Sequence, residues 1–301
     1  MTTPSPIIRE HPIPSPGSKP YIVANGPDGA VWFCESGPGK IGRLDLADHT
    51  IREFSLPDPA CMPIGIAAGS DGAMWFTESK GHRVGRITPE GSVTEFDLPT
   101  PGSGPNGIVR GPDGNIWFAQ HMAGSVARIT PAGQVTEFRG FAPGARPLAP
   151  AAAADCIWFS DSVASRVARV DMNGQVTEYA TPRPASGPRA IIAGPDGNIW
   201  LVVAEGNAII RMTPAGVMTE FPLPTPNASP RGITVVHGSE IWFTQNLVNS
   251  IGRMSLQGEV LAEYPLPTAN SGPRAMLTAP DGRLFFSQHD SGSIGEVRWS
   301  D

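Results

Sequence analysis

Ser70-Asp71-Gly72-Ala73-Met74-Trp75-Phe76-Thr77-Glu78 decides the fold, because versions of it recur along the whole chain. A Gly-Pro-Asp-Gly turn stands before the aromatic pair at 26–29, 111–114 and 194–197. Gly69-Ser70-Asp71-Gly72 and Ala279-Pro280-Asp281-Gly282 are variants of it. Proline presets φ at the second turn position, aspartate bonds the local backbone, and glycine relieves the exit, so each is a β-turn signal. The aromatic anchors are Trp32, Trp75, Trp117, Trp158, Trp200, Trp242 and Phe285, spaced by 43, 42, 41, 42, 42 and 43 residues.

The same order of segments surrounds every anchor. A proline turn and a short apolar run come first, as in Gly104-Pro105-Asn106-Gly107-Ile108-Val109, and the run through Trp-Phe is second. Val84-Gly85-Arg86-Ile87 shows the third run and Val93-Thr94-Glu95-Phe96 the fourth, each set off by a turn. Four short strands with tight hairpins at this period describe one blade of a β-propeller. The sequence therefore predicts an all-β, seven-bladed propeller with four-stranded antiparallel blades, in one domain over 1–301. The seventh copy stops after three strands, at Gly295-Glu296-Val297-Arg298-Trp299. Ile8-Arg9-Glu10-His11-Pro12-Ile13-Pro14 matches the spacing of Ile51-Arg52-Glu53-Phe54-Ser55-Leu56-Pro57. Residues 6–14 are thus expected to supply the missing strand and close the ring, with residues 1–5 disordered.

Composition narrows the partners. Glycine (35) and proline (33) are abundant without a collagen period, which fits frequent turns. A net charge of −6, with no basic stretch, argues against nucleic acid or an anionic membrane. The N-terminus lacks a basic n-region and an apolar h-region, so a cytoplasmic monomer acting on a small molecule is expected. Cys34, Cys61 and Cys156 form no disulfide framework, and Cys34 and Cys156 read as small core residues.

Seven copies separate scaffold from site. Residues that recur in nearly every copy serve the blade. The Trp-Phe pair, the third-strand arginines (Arg43, Arg86, Arg128, Arg169, Arg211, Arg253) and the fourth-strand glutamates (Glu53, Glu95, Glu137, Glu178, Glu220, Glu263) belong there. The arginines and glutamates suggest repeated ion pairs or backbone clamps. Three columns vary instead. After the opening proline stand Tyr21, Ile64, Asn106, Leu148, Arg189, Arg231 and Arg274. Three residues past the anchor stand Glu35, Glu78, Gln120, Asp161, Val203, Gln245 and Gln288, and His121 and His289 share the next position.

Both columns are expected at one mouth of the central channel. That makes Tyr21, Asn106, Arg189, His121, Gln245, Gln288, Glu35 and Glu78 candidates for substrate binding, and His289, Arg274 and Arg231 candidates for catalysis. Converging guanidinium groups call for an anion, a carboxylate or a polarised carbonyl among them; the alternative folds each arginine back onto blade-end carbonyls or a neighbouring acid. A histidine there could move a proton near neutral pH. His11, His49, His82 and His237 fall on the outer strand or in turns and carry no signal. No zinc-spaced cysteine pair, phosphate loop or Gly-x-Ser-x-Gly elbow is present.

The unit seen in 70–78 and in Leu98-Pro99-Thr100-Pro101 resembles that of the virginiamycin B lyases (streptogramin B lyases), over the whole chain. The resemblance implies a seven-bladed propeller that opens an ester-closed macrocycle by elimination, with magnesium polarising the carbonyl. It also implies two histidines after the opening proline of blades six and seven. Two glutamates go with them, one two residues before the blade-seven histidine and one at the end of that blade's second strand. Those places hold Arg231, Arg274, Gly272 and His289; Tyr21 fits the aromatic place in blade one. Three functions follow as expectations. The first is a lyase-like enzyme acting on an ester, lactone or depsipeptide. The second is a binding module for an acidic ligand. The third is a metal-dependent lactonase using Glu35, Glu78 and Asp161.

Overall fold

Seven four-stranded antiparallel sheets stand in a ring in the computed structural model, which describes residues 6–299. The disorder expected for residues 1–5 lies outside the described residues. In blades one to six the strands are paired in chain order, as in blade three with Pro105–Arg110, Ile116–Gln120, Ser125–Ile129 and Val135–Phe138. Blade seven takes Pro273–Thr278, Leu284–Gln288 and Ser293–Arg298 from the C-terminal end and Ile7–Pro12 from the N-terminal end. Ile7 pairs with Arg298 and Pro12 with Ser293, so the ring closes as the matched spacing predicts.

The recurrent aromatics make the core between blades. Trp32, Trp75, Trp117, Trp200 and Phe285 are inaccessible to solvent. One apolar cluster joins Trp32, Cys34 and Ile41 of blade one to Met74, Phe76 and Ile87 of blade two, and the others repeat this arrangement round the ring. Each aromatic side chain so buried contributes roughly 2–3 kcal/mol of transfer free energy. The first strands face the axis, where Ile22, Ile66, Ile108, Ile191 and Ile233 line a channel of about 450 Å³.

The turn aspartate has a further role. Asp71 Oδ1 accepts the indole N–H of Trp75 at 3.1 Å while Oδ2 accepts Nε of Arg86 at 2.6 Å. Asp28 does the same for Trp32 and Arg43, and Glu240 does so for Trp242 and Arg253. Five of the six recurring arginines therefore pair with turn acids and not with the recurring glutamates. Arg211 clamps the Leu256 carbonyl, so the backbone clamp is found and the arginine–glutamate pairing is corrected. The glutamates hold the connection that precedes their own blade instead, as when Glu137 takes N–H and O–H of Thr100. Asp71→Ala would leave a buried indole N–H unpaired. The expected cost is roughly 1–3 kcal/mol, or about 2–8 °C in Tm by calorimetry. Asp71→Asn, which keeps an acceptor, should lose less, and an unshifted Tm for Asp71→Ala would refute the clamp.

Candidate functional site

All seven first strands carry an irregularity at the same place. Pro105 pairs with Gln120 and Ile108 with Phe118, so three steps on the first strand oppose two on the second. The same shift follows Pro20, Pro188, Pro230 and Pro273. An extra residue in one strand bends it and re-aims the side chain, and the residue after the proline sits inside the bulge. Hydroxyls on the second strand hold it there. Thr244 takes the N–H of Gly232 at 2.8 Å and donates to the Arg274 carbonyl at 2.6 Å. Ser287 takes the N–H of Ala275 at 3.1 Å and donates to the Tyr21 carbonyl at 2.6 Å. Thr77 holds the Asn106 carbonyl in the same way.

These bulges surround a cavity of about 90 Å³ at the mouth, walled by Tyr21, Asn106, Leu148, Arg189, Arg231 and Arg274. The three arginines thus come together as expected, but they are not alike. Arg189 bonds Glu205 at 2.9 Å. Arg231 and Arg274 donate no side-chain hydrogen bond and form no salt bridge among the described residues. The Nε atoms of all three are buried without a partner. Burial lowers the Arg231 guanidinium below its ordinary value, and the charges of Arg189 and Arg274 push the same way. The Arg274 guanidinium lies 5.0 Å from the centre of the Tyr21 ring.

His289 stands against the edge of Tyr21, ring centres 5.9 Å apart. Its Nδ1 is held by Asp290 Oδ1 at 2.7 Å. A carboxylate on one ring nitrogen fixes the tautomer and leaves Nε2 as the basic atom. Burial lowers the imidazole below its ordinary value; Asp290 opposes that shift and the charge of Arg274 adds to it. Glu205 and Asp290 belong to a column, five residues past the anchor, that the sequence reading passed over. A comparison of Gly37, Lys80, Met122, Val163, Glu205, Leu247 and Asp290 at that position would have shown both carboxylates.

Four candidates do not reach the mouth. Glu35, Glu78, Gln245 and Gln288 end their second strands fully buried, with side chains turned outward to the fourth strand. Gln245 donates to Glu263 at 2.6 Å and Gln288 to Glu10 at 2.6 Å, as Gln120 does to Glu137 at 2.8 Å. Glu35 and Glu78 take the same seat beside Glu53 and Glu95, where burial and then the second carboxylate push each up to about 8. His121 is also structural. Its Nδ1 meets the Pro147 carbonyl at 3.1 Å, the bond that Asn246 makes at the equivalent place to the Pro273 carbonyl at 3.0 Å. Asp161 caps its own turn through the N–H groups of Val163 and Ala164.

The mouth does not suit magnesium, which asks for oxygen ligands. Arg231, Arg274 and Gly272 offer none. The second strand ends at Gln288, whose amide nitrogen is committed to Glu10, and His289 is the first residue beyond it. The Asp290 carboxylate lies where a side chain on Gly272 would begin, which returns one acid to that place. It is engaged by His289, so no step is assigned to a metal. His11, His49 and Glu296 do carry a signal that the sequence reading missed. They converge at the seam of blades seven and one, with His11 Nε2 2.9 Å from Glu296 Oε2. Arg283 and Arg298 donate to Glu296 Oε1, and Arg298 Nη2 lies 2.7 Å from His49 Nε2. Cations already fill that cluster.

Ring, closure and mouth define a seven-bladed β-propeller with an axial cavity at one end whose apolar wall carries three arginines. The chain belongs to the Virginiamycin B lyase family, whose sequence pattern matches residues 2–156 and again 142–301. A streptogramin B lyase structure superimposes with a TM-score of 0.93 at 33% identity, covering 98% of both chains. Selenomethionine-substituted virginiamycin B lyase from Staphylococcus aureus does so with a TM-score of 0.93 at 32% identity, over 98% of this chain and 100% of its own. A catalytically inactive form of the Staphylococcus aureus enzyme with quinupristin gives the same values. A virginiamycin B lyase from Saccharopolyspora erythraea is 51% identical over 37 residues, 12% of this chain and 12% of its own length.

Proposed function

We propose that this protein is an enzyme that cleaves a C–O bond of an ester, lactone or depsipeptide-type small molecule at the mouth, by elimination. Family membership supports the reaction class. The observation that carries the reading is the pairing of a carboxylate-held histidine with two uncommitted guanidinium groups beside one cavity. Nε2 of His289 takes the proton from the carbon α to the carbonyl. The electron pair moves onto the carbonyl oxygen, where Arg231 and Arg274 stabilise the negative charge, a task preorganised donors perform well in a partly dry site. The carbonyl then re-forms, a C=C bond is made, and the bond from the β-carbon to the ester oxygen breaks. The leaving carboxylate departs, and the imidazolium returns its proton to solvent.

His289→Ala and Arg274→Ala are each expected to lower kcat/KM by about 10²–10³-fold. The assay follows a panel of linear and cyclic depsipeptides for ester loss and for absorbance of the new conjugated alkene. Because His289 is held below its ordinary value, activity should rise with pH at an apparent pKa below about 6.5. Turnover unaffected by both changes, or a product with a free hydroxyl in place of the alkene, would remove this reading. The uncommitted arginines also favour a second one, capture of an acidic ligand without chemistry. In that case the arginine change weakens binding and the histidine change does little. The lactonase reading lacks its ligands, since Glu35 and Glu78 are buried inside their blades away from the mouth and Asp161 is engaged by its own turn.

A further inference from the structure

We infer that the molecule taken by this mouth is a carboxylate on an apolar body, and that Arg231 and Arg274 bind that carboxylate in the ground state. The inference rests on reading the mouth as the functional site. It goes beyond the proposed reaction, which asks only for stabilisation of a transient oxygen charge.

Charge is the first support. Of the three guanidinium groups in the cavity wall, only Arg189 has a carboxylate, Glu205. Asp290 is turned to His289. Two positive charges are thus left at a small, half-buried cavity with no anion opposite them. A neutral ester would leave both charges uncompensated throughout binding. A carboxylate matches the planar fork of a guanidinium and is the group such pairs recognise best. Leu148 and the Tyr21 ring supply the apolar part of the same wall.

The rim is the second, independent support. Met122, Val163 and Leu247 are 59%, 65% and 69% exposed and make up half of the six large apolar residues exposed among the described residues. All three occupy the column five residues past the anchor, the one that gives Glu205 and Asp290 in blades five and seven. In blades three, five and seven that column packs against the turn that opens onto the mouth. A Cβ on Gly104, two residues before Asn106, would lie 2.5 Å from Met122 Cγ, and Cβ atoms on Gly187 and Gly272 would meet the carboxylates of Glu205 and Asp290. Scattered exposed apolar residues need no explanation, but apolar residues set round a largely apolar cavity with a few placed charges mark a ligand site. The ligand therefore has its charge inside and its apolar substituents at the rim of blades three, four and six.

Isothermal titration of the whole protein with octanoate, octanamide, butyrate and octyl phosphate tests this. Octanoate is expected to bind at least about ten-fold more tightly than octanamide, and Arg231→Gln or Arg274→Gln to remove at least about ten-fold of that affinity. Met122→Ser combined with Leu247→Ser should weaken octanoate about three-fold or more while leaving butyrate unchanged. Unchanged melting temperatures verify that the variants fold. Equal affinity for octanoate and octanamide, or arginine variants that bind as the parent does, would overturn the inference. Tighter binding of octyl phosphate would overturn the choice of carboxylate. Turnover of neutral esters with no octanoate binding would defeat the inference and spare the lyase reading. Octanoate binding with no turnover of any ester would do the reverse.

Discussion

A chain lacking its first twelve residues is expected to lose more than about 10 °C in Tm, or to fail to stay monomeric, because blade seven then has three strands. The loss is concentrated. Six residue pairs from Ile7↔Arg298 to Pro12↔Ser293 disappear, leaving the backbone of Ser293–Arg298 as an open edge. Ile8 leaves the apolar cluster of Trp242, Leu284 and Phe286. Glu10 no longer receives Gln288 Nε2 at 2.6 Å or the Thr268 hydroxyl at 2.6 Å, so a fully buried amide loses its acceptor. His11 no longer meets Glu296, a buried carboxyl that this contact and two arginines hold near 2. At about 1 kcal/mol per hydrogen bond, plus the buried side chain, the sum is on the order of 5 kcal/mol or more. Glu10→Ala, which leaves the strand in place, should cost only a few °C. Scanning calorimetry with size-exclusion chromatography measures both, and a truncated chain that melts within about 2 °C of the parent would show that closure matters little.

The seam and the rest of the scaffold were legible because a repeat states its own register. Seven anchors at nearly constant spacing fix the blades, and a copy that stops after three strands identifies its missing one. The wall of the mouth was legible for the same reason, since the opening proline numbers its column. The second-strand column was misplaced by a limit of pattern reading. A period of two says that Glu35 and Gln245 face away from their neighbours but not which face meets the channel. The bulge after the proline decides that, and a bulge is a property of pairing, which no single strand displays. Partner residues do carry the missing signal. Glu35 stands opposite Lys40 and Glu78 opposite Arg83, whereas Gln120, Gln245 and Gln288 stand opposite Ser125, Ser250 and Ser293. Acid is matched with base and amide with hydroxyl. Residues that change together in this way are reading one another inside the blade, not a ligand at the mouth.

That matching leads to the second large effect, a loss of stability in alkali that two substitutions should cure. In blades three, six and seven the buried amide donates a hydrogen bond to the fourth-strand glutamate. Glu35 and Glu78 can make the same bond to Glu53 and Glu95 only when protonated. Lys40, 3.5 Å from Glu53, and Arg83, 3.5 Å from Glu95, balance one carboxylate of each pair but not two. The folded protein therefore raises Glu35 and Glu78 from the ordinary 4.5 to about 8. Below about pH 4.5 both folded and unfolded chains hold the protons of Glu35 and Glu78, so these two lose nothing there. Glu53, held below its ordinary value, loses its own contribution as pH falls. Between about pH 4.5 and 8 the folded chain holds more protons than the unfolded one, so stability falls as pH rises. Above about pH 8 the loss is complete, on the order of 4 kcal/mol for each pair. Glu35→Gln with Glu78→Gln supplies permanent donors. The double variant is expected to match the parent near pH 5 and to exceed its Tm by about 10 °C or more at pH 9, by calorimetry across that range. Its urea midpoint should be nearly flat where the parent's declines. Parallel curves for the two proteins would mean that the buried carboxyls do not share a proton.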